Sequence, residues 1–125
     1  MTPMQALQQH QQLCDELHAL TLEENRFLQQ HQRVPEAALL YRKRSLLARL
    51  DDTLAALRSA PRDGAPAQSF RQAVDKTMAR ILQILQLDRE NEQLLLRCSL
   101  SGNRVTSTAP ALPAGMLQKI YQRHR

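Results

Sequence analysis

Four histidines, two cysteines and two pairs of adjacent carboxylates are the residues of this chain that could carry chemistry. His10 and His18 stand eight apart, and no histidine has another four places on, the spacing by which one helix face grips a metal. Cys14 and Cys98 lack any neighbour at CxxC spacing, so no zinc or other metal is expected, and no cofactor. Glu23 and Glu24, like Asp51 and Asp52, are sequence neighbours. Neighbouring side chains diverge on a helix and do not form an acid–base pair. Three scattered glycines cannot cradle a phosphate. With no nucleophile set beside a base, no enzyme is expected.

The more informative polar residues are two asparagines. Asn25 lies in "LEENRFL" and Asn91 in "RENEQLLLR", each where the leucine period expects an apolar side chain. If helices 1 and 3 run parallel, each asparagine is about 21 residues from its helix start, or ~32 Å at 1.5 Å per residue. Lys43 of an antiparallel helix 2 falls near the same height. Asn25, Lys43 and Asn91, with Glu24, could therefore form one polar layer that fixes helix register. The alternative is that both asparagines lie at the stripe's edge in water.

The elements that must position these residues are helical. The chain has 125 residues, no tryptophan, two phenylalanines, two tyrosines and no β-branched runs, a palette suited to helices packed through leucine and alanine. Leu13, Leu17, Leu20, Phe27 and Leu28 give helix 1 its stripe over about 4–32, with Leu7 and Cys14 beside them. Its opposite face is rich in glutamine and reads as solvated. Pro35 interrupts the pattern, and helix 2 follows over about 36–59 with Leu40, Leu47, Leu50, Leu54 and Leu57. "YRKRS", residues 41 to 45, reads as a solvated basic face. "SAPRDGAPAQS", residues 59 to 69, is a loop, and Ser69 with Gln72 suits the start of helix 3 over about 70–100. Phe70, Val74, Met78, Ile81, Leu85, Leu94, Leu95 and Cys98 make its stripe. The expected architecture is all-α: residues 1–100 form an elongated up-down-up three-helix antiparallel bundle. Residues 101–115 form a linker, and 116–125 a short amphipathic segment in a flexible C-terminal tail.

Charge is unevenly spread. Residues 1 to 92 hold twelve Lys/Arg and twelve Asp/Glu, while 93 to 125 hold five basic residues and no acid. A neutral body disfavours nucleic acid, and the basic tail suits an acidic protein partner. No stretch approaches the ~20 apolar residues of a membrane span, and the N-terminus lacks the build of a secretory signal, so a cytosolic protein is expected. Met116, Leu117, Ile120 and Tyr121 share one face of the tail segment, and Lys119 and Arg123 belong to the other. Ten residues are too few for a stable isolated helix. That apolar face must cover its own bundle or a partner's groove. The partner is the expectation, with Ile120 and Tyr121 as anchors and Lys119, Arg123 and Arg125 steering. On this reading, loss of residues 114 to 125 would leave bundle stability nearly unchanged. Cys14 and Cys98 differ in height by ~27 Å in parallel helices, too far for a disulfide.

"LHALTLEENRFL", then "ALLYRKRSLLARLDDTLAAL", with Lys43, Leu46, Leu47 and Leu50, resembles the FlgN-type flagellar export chaperones. "LDRENEQLLLRCSL", with Asn91 before Leu94 and Leu95, resembles that family's last long helix. The resemblance spans residues 13 to 100. It implies a small cytosolic helical chaperone that binds helical segments of secreted hook-associated proteins. Such a chaperone delivers them to an export-gate component, using C-terminal parts of its own chain for contacts. The alternative is a structural coiled-coil adaptor or assembly protein without an export role.

Overall fold

A computed structural model describes residues 2–59, 68–100 and 116–124 of the chain. All regular structure among them is helical, in four helices: α1 (Pro3–His31), α2 (Ala37–Ser59), α3 (Gln68–Leu100) and α4 (Met116–Arg123). The expected linker, and most of the expected loop before α3, lie outside the described residues.

Local chemistry accounts for the helix ends. Thr2 and Gln5 form a reciprocal capping box, each side chain bonding the other's backbone N–H, and Pro3 occupies the first turn where its missing N–H costs nothing. At the other end Gln32 turns left-handed, with φ 50° and ψ 40°, and its N–H closes on the Leu28 carbonyl at 3.0 Å. Pro35 follows, buried, and cannot prolong the helix. Helix 3 begins at Gln68, so Ser69 lies inside the first turn instead of capping it. Gln68 is itself a good helix former, which lets the turn start earlier.

Helix α1 is the central element. It packs along both α2 and α3, whereas α2 and α3 approach each other only sparsely among the described residues. This role shows in the burial pattern. In α1 eleven residues are buried, Ala6 to Leu28, spread over two adjoining seams. In α3 only Thr77, Ile81, Ile84, Asp88, Asn91, Leu95 and Cys98 are buried, at spacings alternating four and three. That is the narrow seam of a helix facing one partner. Paired side chains run in opposite order along α1 and α2, as Glu24–Lys43 and His10–Thr53 do. They run in the same order along α1 and α3, as Gln11–Ala73 and Asn25–Asn91 do.

The expected stripe of α3 needs correcting. Met78 is half exposed, and Thr77 and Asp88 are inside. The seam follows the polar partners of Lys43 and Asn25 in place of the longest run of apolar residues. Phe27 is also not a core residue. It is half-buried, tilted against His31 with 4.6 Å between ring centres, and Arg33 lies over its ring at 5.6 Å.

Two apolar clusters flank the polar layer. The larger joins Leu13, Cys14 and Leu17 of α1, Leu47 and Leu50 of α2, Ile81 and Ile84 of α3, and Leu117 and Ile120 of α4. The smaller holds Leu28, Leu95 and Cys98, with Val34 and Leu94 against it. Cys14 and Cys98 therefore sit in different clusters and are not bridged.

Candidate functional site

Between the two clusters lies a buried polar layer. Lys43 Nζ donates to Glu24 Oε1 at 2.9 Å and to Asp88 Oδ1 at 2.6 Å. Asn91 Nδ2 donates to the same Glu24 oxygen at 2.9 Å and to the Thr21 carbonyl at 3.1 Å. Asn25 Nδ2 donates to Asn91 Oδ1 at 2.8 Å. Both asparagines thus lie inside, and the three helices α1, α2 and α3 meet at one ionic knot. Every fully buried side-chain polar atom among the described residues has a partner. Burial disfavours the Lys43 ammonium, but the Glu24 and Asp88 carboxyl groups outweigh it and raise its pKa above the ordinary lysine value. The lysine stays charged across the usual pH range. The layer fixes register, because a slip by one residue strands a buried charge.

The structure brings together Asn25, Lys43, Asn91 and Glu24, as their heights suggest, and adds Thr21 and Asp88. Asp88 carries a signal that spacing could have found: it stands seven places after Ile81 and seven before Leu95, on the same seam.

The six tail residues expected to bind a partner are placed differently from expectation. Residues 116–123 form α4, and Leu117 and Ile120 are buried in the chain's own larger cluster. Tyr121 packs against that cluster, half-buried. Arg123 lies 3.5 Å from Asp51 Oδ2, and His124 Nε2 contacts the other oxygen of Asp51. Met116 and Lys119 are exposed. Ile120 and Tyr121 are consequently anchors for this chain's own groove. The physical reason is proximity: an apolar face tethered to the same chain meets its own uncovered groove at high effective concentration.

Beneath α4 lies a second polar set that spacing arguments about metals passed over. His10 is fully buried on α1. Its Nδ1 is 2.6 Å from Thr53 Oγ1, and its Nε2 is 2.6 Å from Tyr121 Oη. The Thr53 hydroxyl donates its only proton to the Leu50 carbonyl at 2.9 Å, so it accepts from His10 Nδ1–H. The neutral ring then presents Nε2 as an acceptor, and Tyr121 donates to it. Cys14 belongs to the apolar cluster against which Tyr121 packs. The chain of bonds runs Tyr121, His10, Thr53, Leu50. Burial pushes the His10 pKa down to about 4 and the Cys14 pKa up to about 11. It also raises that of Tyr121, with Cys14 adding to the effect. Each group is thereby held neutral near pH 7. The signal for His10 was its place three residues after Leu7 and three before Leu13, on the apolar face.

Among the described residues no three of His, Cys, Asp or Glu converge as the ligands of a metal would. No described helix is long and apolar enough to cross a membrane. A cleft of about 370 Å³ opens between α1 and α2, lined mainly by Gln9, Gln12, Glu16, Arg49, Asp52 and Thr53. The Thr53 hydroxyl there is already spent on Leu50. Tyr41 of α2 and Met116 of α4 are exposed, and four more large apolar side chains are exposed on α3: Met78 by 50%, Leu82 by 57%, Leu96 by 58% and Leu100 by 85%. These four recur at helical spacing on one flank of α3, beside its seam.

Compared with known proteins, the chain matches no family model, and no curated protein or solved structure is significantly similar to it.

Proposed function

We propose that this chain is a non-enzymatic export chaperone of the FlgN type. It binds helical segments of secreted hook-associated flagellar proteins in the cytoplasm and passes them to an export-gate component. In this reading α1, α2 and α3 form an up-down-up three-helix bundle, and α4 covers one end of it. One observation carries the reading. Lys43 and Asn91, two of the polar residues on which the resemblance rests, meet at Glu24 in the buried layer. Leucine-rich composition alone does not require that meeting. The docked tail changes where a client is received. The exposed flank of α3, with Met78, Leu82, Leu96 and Leu100, becomes the surface with apolar area to offer an amphipathic helix. The second reading, a coiled-coil adaptor without export, draws on the same narrow seam of α3.

The test is a pull-down from the native cytosol with the full chain as bait and identification of what is retained. Enrichment of hook-associated subunits over the bait carrying Met78→Asp and Leu82→Asp supports the chaperone. Retention of cytoplasmic structural proteins alone supports the adaptor.

A further inference from the structure

We infer that the groove between α2 and α3 is a receptor for a helix of one particular chemistry, and that α4 is its resident occupant, replaced when a partner helix of that chemistry arrives. The pattern is two aliphatic residues three apart, a tyrosine directly after the second, and a cation two places further on. In α4 these are Leu117, Ile120, Tyr121 and Arg123.

Each part of the pattern meets a fixed feature of the groove. Leu117 and Ile120 share one cluster with Leu47 and Leu50 of α2 and Ile81 and Ile84 of α3, two helices that approach each other only sparsely among the described residues. The floor carries one buried polar acceptor, His10 Nε2, oriented by Thr53. A tyrosine hydroxyl satisfies it. A phenylalanine there does not, and burying an acceptor without its donor disfavours it. Asp51 at the rim takes the cation.

Apolar surface of α3 also continues beyond the occupant. Met78 and Leu82 precede Leu85 on one face of α3, and Leu85 packs on the cluster that holds α4, yet Met78 and Leu82 are left half exposed. Eight residues of α4 do not cover that flank, and a longer helix would. α4 is eight residues long and is held by two fully buried aliphatic side chains, the Tyr121 hydroxyl and the contacts of Arg123 and His124 with Asp51. A longer helix of the same pattern that also covers Met78 and Leu82 therefore outcompetes it. This inference rests on the proposed binding of helical segments for its biological partner, but its test does not.

The probe is a labelled peptide of residues 114–125, titrated by fluorescence anisotropy into three full-length chains. These are wild type, Tyr121→Phe, and the double variant Leu117→Asp with Ile120→Asp, the last checked for helix content by circular dichroism. The peptide should bind the double variant, and the Tyr121→Phe chain, each about 10-fold more tightly than wild type, where the groove is filled. The same peptide carrying Tyr121→Phe should lose about 10-fold against the double variant. Equal binding to all three chains, or equal binding of the two peptides, overturns the inference. If the peptide behaves as expected and no hook-associated segment binds any of the chains, the receptor stands and the flagellar reading falls.

Discussion

Single side chains in this protein divide into those held neutral and those held charged, and each kind makes a distinct prediction. His10 is neutral in the fold because burial lowers its pKa from 6.5 to about 4. The unfolded chain binds a proton there below pH 6.5, so the folded state loses stability as pH falls from 6.5 towards 4 and keeps it above. Between pH 7 and pH 5 the loss from this group is on the order of 2 kcal/mol. Urea denaturation of wild type and His10→Asn at the two pH values checks it: the variant should show a correspondingly smaller fall. Lys43 is the opposite case. Removing its charge by Lys43→Met leaves Glu24 and Asp88 buried without their cation, which should cost about 3–5 kcal/mol. Replacing all three by aliphatic residues should recover most of that, as the same denaturation assay would read. Asn25, Lys43 and Asn91 were legible because polar residues at core spacing are conspicuous among leucines. His10 was not, because a lone histidine on an apolar face is invisible to a search for ligand pairs.

At the scale of elements, the three long helices were legible almost to their ends. Leucine period and proline punctuation set the bounds of α1, α2 and α3 to within two residues. What the sequence did not reveal was the face α3 would turn inward. Ranking by hydrophobicity puts Met78 inside and Asp88 outside, and the ion pair with Lys43 reverses both. The destination of α4 was equally hidden. Its amphipathic pattern demands a cover but does not say whose, and only the sparse approach of α2 to α3 makes a vacancy for it. Deletion of residues 114–125 should accordingly lower the melting temperature by about 10 °C, since it uncovers Leu47, Leu50, Ile81 and Ile84. Differential scanning calorimetry reads this directly. An unchanged transition would return α4 to the status of a free tail.

Across the whole molecule, the polar layer and its two flanking clusters make a ruler. Asn25 pairs with Asn91, so positions on α1 and α3 correspond at a sequence offset of about 66. Cys14 then falls roughly 18 residues, or ~27 Å, from the level of Cys98. A disulfide needs its Cα atoms within about 7 Å, so oxidation should give no intrachain Cys14–Cys98 link by mass spectrometry of the peptides. Function was the least legible property at this scale. A binding bundle performs its work through a surface, and the residues of a surface carry no spacing rule that names the partner. The resemblance supplied a candidate partner, and the exposed flank of α3 supplies a place for it. The central claim is therefore a binding claim, best tested by calorimetric titration of the full chain with purified C-terminal helical segments of hook-associated subunits from the same cell. The account predicts a saturable one-to-one complex that Met78→Asp with Leu82→Asp weakens at least about 10-fold without altering the melting temperature. No heat of binding with any such segment, or affinity unchanged in the double variant, would contradict it.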